Sequence, residues 1–264
     1  MSDKIFNILA TLCLVAVIGY MSWRSMHPPL SGHPTSAPIS YYAGDGITPA
    51  DFPADNNPVT VDVGTFSYAP DGRMTWTPGN LPAVTISQRQ INLQFRFDGL
   101  PQAPAKTIQK LETVLKSWTH KGDIVNILIF DYDGAKPDFT AYANLINATN
   151  AHFTKEYTSN PYAVYPTLNL RWMEAAQSSF FEKLNSSTVA VLSIPETHIP
   201  QKLFKQLADF EFQFILRFPE GKNVADIDMP HLIKLKALNG VTLTLDPHKP
   251  LFVKKDPVGL FPKL

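Results

Sequence analysis

The chain has 264 residues, and its 23 lysines and arginines balance 23 aspartates and glutamates, so its formal net charge is zero. Without a basic surplus to neutralise a phosphate backbone, nucleic-acid binding is excluded as a general role. A hydrophobic content of 44% excludes wholesale disorder, and a single cysteine excludes a disulfide framework or a cysteine-based zinc site.

Residues Ile5 to Trp23 carry no charge, lie between Lys4 and Arg24, and number nineteen. A run of that length matches the roughly 20 residues that span a bilayer core. It ends in Gly19-Tyr20-Met21-Ser22-Trp23, without the small-x-small pattern of a cleavage site. Tyr20 and Trp23 suit an interfacial aromatic belt. The expectation is one retained transmembrane helix within an anchor segment, 1–25, contacting lipid through 5–23. That places the protein in the inner (cytoplasmic) membrane as a single-pass protein, with its folded part periplasmic or extracellular. From His27 to Pro58 there are seven prolines and no Lys or Arg. Such composition favours an extended spacer, so 26–58 reads as a proline-rich linker. The competing reading packs Ile39-Ser-Tyr-Tyr42 onto the domain.

Residues 59–264 then form one α/β domain. Val59–Tyr68 and Met74–Thr77 flank Pro70-Asp71-Gly72 and read as a hairpin. Strands are predicted at Ile91–Asp98, Ile124–Asp133, Tyr162–Arg171, Thr188–Glu196, Glu211–Phe218 and Val241–Asp246. Helices are predicted at Thr107–His120, Asp138–Phe153, Trp172–Leu184, Pro200–Phe210 and Met229–Leu238, with Asp138 as an N-cap and Gly122 and Gly240 as helix stops. In the first helix Ile108, Leu111, Val114, Leu115 and Trp118 form one apolar stripe.

A parallel sheet covered on both faces has near-continuous apolar strands. These strands alternate instead: Ile91, Leu93, Phe95 and Phe97 face one way, and Asn92, Gln94, Arg96 and Asp98 the other. Apolar faces under helices with polar faces turned into a lumen describe a (β/α) barrel, or an incomplete barrel, carrying an N-terminal hairpin. Val59–Thr65 and Ala83–Ser87 would bring the strands to eight. An open sheet with helices on one face gives the same alternation.

Charge gathers at the strand C-terminal ends, the edge where such folds build their sites. Arg96 and Asp98, Asp131 and Asp133, Asn169 and Arg171, Glu196, Arg217 and Asp246 all lie there. Asp131 and Asp133, two apart on a strand, project on one face roughly 7 Å apart. Two such carboxylates repel, which raises one pKa and can create an acid–base couple. For any single carboxylate here, capping the following helix or pairing with Arg96 or Arg171 is a better account than catalysis.

Three resemblances meet at Ile127-Leu-Ile-Phe-Asp131-Tyr-Asp133-Gly134. The Asp-x-Asp-Gly ending resembles the first motif of haloacid dehalogenase-type phosphohydrolases, which implies Asp131 as nucleophile, Asp133 as acid–base and magnesium as cofactor. Ala135 departs from the threonine usual there. Asp-x-Asp also resembles the metal motif of nucleotide-sugar glycosyltransferases. The third resemblance covers more chain: Phe95-Arg-Phe-Asp-Gly99, Ile129-Phe-Asp-Tyr-Asp133 and Tyr165-Pro-Thr-Leu-Asn-Leu-Arg-Trp172, in that order. That series is similar to a bacterial family with a domain of unknown function and a glycosidase-like barrel.

Glycoside hydrolysis needs two carboxylates about 5–5.5 Å apart for retention or 6.5–9.5 Å for inversion. Asp133 with Glu196 is the first candidate pair, and Asp131 with Asp133 the second. Arg96, Asp98, Asn169, Arg171, Arg217 and Asp246 are candidate substrate-binding residues, and Trp172 could stack on a sugar ring or sit in the core. The reading calls for no cofactor and no metal, and its partner class is a carbohydrate ligand of the cell envelope. The alternatives are a magnesium-dependent haloacid dehalogenase-like phosphohydrolase and a non-catalytic envelope binding module. The seven histidines show no ligand spacing, and no Gly-x-Ser-x-Gly elbow, P-loop or dinucleotide fingerprint is present.

Overall fold

A computed structural model describes the chain from Pro38 to Asp246, apart from residues 45–46, 49–50, 53–54, 56, 80–89, 120–123, 133, 135–137, 158–161, 174–175, 177–178, 185–187, 195–198 and 221–226 and the side chains of Asn126 and Arg171. The chain divides into two units, 1–35 and 36–264. The predicted membrane segment, 5–23, lies outside the described residues. Among those described, no helix is long and apolar enough to cross a membrane.

The strands are β1 (Ile39–Ala43), β2 (Val59–Tyr68), β3 (Met74–Pro78), β4 (Gln90–Asp98), β5 (Ile124–Tyr132), β6 (Ala163–Asn169), β7 (Ala190–Ser193), β8 (Phe214–Phe218) and β9 (Leu238–Thr244). The helices are α1 (Ala105–Thr119), α2 (Phe139–Glu156), α3 (Gln201–Ala208) and α4 (Met229–Leu232). Strands run β1-β9-β8-β7-β6-β5-β4-β2, and β1 also pairs with β2, so the sheet closes on itself. All eight staves are parallel; β3 alone is antiparallel, hanging from β2 on the outside.

Closure by β1 corrects the predicted domain boundary. Ile39–Ala43 lies in the segment assigned to the linker, yet Tyr41 and Ala43 are buried and Ile39 pairs with Val241. The neighbouring prolines do not interrupt the ladder because they supply carbonyls rather than N–H groups. Tyr41 N donates to Pro58 O at 2.9 Å, and Val241 N to Pro38 O at 2.8 Å. The barrel domain therefore begins before Ile39, not at Val59. Ala83–Ser87, predicted as a stave, lies outside the described residues, and eight staves close without it.

The predicted hairpin forms, with Gly72 at φ +79° in its turn. β3 takes the covering role a helix would have between β2 and β4. Trp76 packs on Phe66 at 4.6 Å between ring centroids and on Phe95 at 6.1 Å. A register shift between Asp62 and Gly64 marks a bulge, and Gly64 sits at φ +144°. A Cβ there would meet the Thr77 carbonyl and lie 2.7 Å from the Trp76 ring. Glycine is thus required where β3 crosses.

Within the predicted helix Trp172–Leu184 the described residues Met173, Ala176 and Ser179 are helical, a 3₁₀ turn at Leu170–Trp172 leads in, and another at Phe181–Lys183 follows. The last predicted helix is shortened. The last helix ends at Leu232, and Leu238 already opens β9. Gly240 is no helix stop; it pairs with Ile215 inside the barrel wall. Asp138 does cap α2, accepting from Ala141 N at 2.9 Å.

Candidate functional site at the barrel mouth

The period-two alternation puts Leu93, Phe95, Phe97, Leu128, Phe130, Leu216 and Leu243 in the buried layer outside the wall. The opposite parity turns polar groups into the lumen. Ser40 Oγ lies 2.8 Å from Thr242 Oγ1, joining β1 to β9, and Asn92 Nδ2 donates to Thr60 Oγ1 at 3.4 Å, joining β4 to β2.

Nearer the strand C-terminal ends the groups become charged. Asp62 on β2 and Arg96 on β4 form an ion pair, Oδ2 to Nε at 2.5 Å. The Gly64 amide, freed by the bulge, donates to Asp62 Oδ1 at 3.1 Å. Asp131 on β5 is held by neutral donors: Thr167 Oγ1 on β6 at 2.5 Å and Gln94 Nε2 at 3.1 Å. Gln94 Nε2 also donates to the Tyr42 hydroxyl, as does Arg96 Nη2, both at 3.2 Å. Arg217 on β8 lies over the Tyr42 ring, its Cζ 4.4 Å from the centroid. Staves β1, β4 and β8 thus meet around one tyrosine, and Asp131 of β5 joins them through Gln94.

Burial governs the electrostatics. Only 7% of Arg217 is exposed, and desolvation lowers its pKa, opposed chiefly by the charge of Asp131. The Tyr42 pKa is raised, mainly by burial, against the hydrogen bond from Arg96. Among the described residues, two carboxylates and two guanidiniums leave this lumen layer with no net charge.

Of the predicted site residues, Arg96, Asp131 and Arg217 are brought together. Asn169 stands one stave from β7, paired with Ser193 and half-buried. Asp98 is exposed at the end of β4, beside Ser67 of β2. Asp246 follows β9, four staves from β5 in either direction and so on the opposite wall from Asp131. Among the described residues, no group of three His, Cys, Asp or Glu is placed to hold a metal ion. Asp133, Glu196 and the Arg171 side chain lie outside the described residues. Trp172 is 6% exposed and packs on Tyr132 and Phe139, with ring centroids 6.0 and 6.4 Å away. It is a core aromatic, because the 3₁₀ turn after β6 directs it under α2 instead of across the mouth.

The sequence reading missed Tyr42, Asp62, Gln94 and Thr167 as site residues. Asp62 had a signal, as the one charge in the alternating run Val59-Thr-Val-Asp-Val. Gly134, which completes the Asp-x-Asp-Gly motif, has a packing explanation: a Cβ there would run into the Tyr132 hydroxyl. Beside the mouth, a cleft of about 480 Å³ opens between the β4–α1 connection and α2, lined by Pro101, Gln102, Tyr132, Asp138 and Asn144 among others.

No protein-family model and no curated protein sequence matches the chain. Among solved structures, it is similar to a family 18 chitinase from Crocus vernus, with a TM-score of 0.50 at 10% identity over 78% of this chain and 91% of that one. A GH18 chitinase from Pseudoalteromonas aurantia gives 0.47 at 10% identity, over 80% and 94%. The fold is a closed barrel of eight parallel strands with helices, of the (β/α) type. Its closure and stave order establish this independently, and at 10% identity the Crocus likeness extends to fold alone. The open-sheet reading of the alternating strands is thereby overturned.

Proposed function

We propose that this chain is a glycan-binding barrel, anchored to the inner membrane through 5–23 and holding its domain outside the cytoplasm. One observation carries the binding reading: Tyr42, Gln94, Arg96, Asp131 and Arg217 converge inside a closed barrel near the strand C-terminal ends. That is the end at which barrel enzymes bind their ligands. Carboxylate, guanidinium and amide groups together suit sugar hydroxyls, which both donate and accept. The barrel shared with chitinases supports the same ligand class by analogy.

Hydrolysis is the second reading, favoured by Asp131, whose hydrogen bonds come from neutral donors and leave it a carboxylate not locked in an ion pair. Its partner would be Asp133, with Glu196 the other carboxylate candidate. A panel of envelope glycans titrated against the full chain tests both readings. Binding without product release is expected of a binding module, and product formation abolished by Asp133→Asn is expected of a hydrolase. A chain that binds no glycan of the panel overturns the proposal. Anchoring is checked by fractionation: the intact chain is expected in membranes after alkaline carbonate washing, and a shortened chain in the soluble fraction rejects the anchor.

A further inference from the structure

The lumen contains hydrogen-bonding atoms with no partner. Arg217 Nε and Nη2, Gln94 Oε1 and Asn92 Oδ1 are all buried and unbonded. Leaving such atoms bare costs free energy, and more for a charged group. Three of the four, on Arg217 and Gln94, mark a place in the lumen where a polar ligand can be taken up. Nε and Nη2 share one edge of the guanidinium, the edge whose parallel N–H groups grip two oxygens at once. Arg217 covers the face of Tyr42, while Gln94 bonds that ring's hydroxyl. The two bare donors and the bare Gln94 acceptor thus surround the same side chain. Asp131 does not fill the gap. Its charge acts on Arg217 through space, but its oxygens are bonded by Thr167 and Gln94.

The missing partner must accept from the guanidinium edge and donate to an amide oxygen. A carboxylate or phosphate accepts only, and it would add negative charge to a layer in which Asp62 and Asp131 already balance Arg96 and Arg217. An ammonium only donates. Two adjacent hydroxyls do both and bring no charge. We infer that the mouth selects a neutral sugar with a free 2,3-diol, its two oxygens accepting from Arg217 Nε and Nη2 and its protons directed to Gln94 Oε1 and Asp131. This rests on the glycan reading and specifies which glycan. Both nitrogens are shielded from solvent, so binding of the diol requires the guanidinium to turn from the Tyr42 ring toward the mouth. Asn92 lies deeper along β4 and is not part of the contact.

Calorimetric titration of the full chain with three β-1,4-linked trimers tests the inference. Cellotriose keeps the 2,3-diol, triacetylchitotriose replaces its 2-hydroxyl with an acetamido group, and the cellouronate trimer adds a carboxylate to each ring. Cellotriose is expected to bind tighter than either analogue by on the order of tenfold or more, and Arg217→Gln is expected to erase that preference. Equal or tighter binding of either analogue overturns the diol inference and leaves glycan binding standing. So does a preference that survives in a folded Arg217→Gln variant. Failure of all three trimers to bind overturns the diol inference, while the wider panel then decides glycan binding on its own. The selectivity of the unmodified chain is decisive whether or not the variant folds.

Discussion

At the scale of single residues, the lumen shows how charge is kept inside a barrel. Asp62 has a side chain 9% exposed and depends on Arg96, whose own side chain is 41% exposed. Truncating Arg96→Ala removes the ion-pair partner of a buried carboxylate and leaves the Gly64 amide among its remaining contacts. Denaturant unfolding is expected to show a loss of about 2–3 kcal/mol, below the range for fully buried pairs because Arg96 is partly solvated. Asp62→Asn combined with Arg96→Gln should cost less than Arg96→Ala alone, since the double variant strands no charge. Arg96, Asp131 and Arg217 could be picked out from the sequence because a charged residue on an otherwise apolar strand declares its face. Tyr42 could not, because nothing in a tyrosine near seven prolines distinguishes a stave from a spacer. Trp172 misled for the opposite reason: an aromatic beside polar residues has the same local signature in a core or at a sugar platform, and only its contacts with Tyr132 and Phe139 decide.

At the scale of elements, β1 matters most. It has five residues and pairs with β2 on one side and β9 on the other. A fragment starting at Val59 would lose the stave and expose two parallel edges, a known route to aggregation. That 59–264 fragment is expected to aggregate or melt without a cooperative transition, whereas a 36–264 fragment should unfold cooperatively; scanning calorimetry with light scattering distinguishes them. The connection after β1 is tied back by the Tyr41 hydroxyl, which donates to Asp55 Oδ2 at 2.6 Å. The β2–β3 hairpin was legible from Pro70-Asp71-Gly72, but the need for glycine at 64 was not, because it arises from β3 crossing β2. Gly64→Ala combines a disfavoured φ with overlap on Thr77 and Trp76. Its expected cost is about 2 kcal/mol or more in urea unfolding.

At the scale of the whole molecule, buried phenols predict the response to alkali. Tyr68, bonded to Thr107 at 2.8 Å, has its pKa pushed up to about 12 by burial, and burial also raises Tyr42, Tyr142 and Tyr165. In the unfolded chain these phenols ionise near pH 10. Between pH 10 and 12 the unfolded state therefore loses protons that the folded state retains, and stability falls as pH rises. Below pH 10 their contribution is fully present. Urea midpoints measured across that window, with phenolate absorbance recorded in parallel, are expected to drop with pH, and Tyr68→Phe should flatten the decline. A flat profile in the unmodified chain would reject this account.

The sequence alone determined which residues face which way. Alternation depends only on the two-residue period of an extended chain, so the polar face of β4, β6 and β9 and the apolar face under the helices could be read without neighbours. It also separated the charged strand ends from the apolar strand bodies. Only the tertiary structure decided that the sheet closes, because closure depends on a short strand from the apparent spacer bonding to strands 18 and 202 residues away, as with Tyr41 to Val59 and Ile39 to Val241. Closure in turn turns scattered polar residues into a site. Arg217 and Gln94 meet at Tyr42 because a closed wall curves β8 and β4 toward one lumen, and no periodicity within any one strand encodes that meeting.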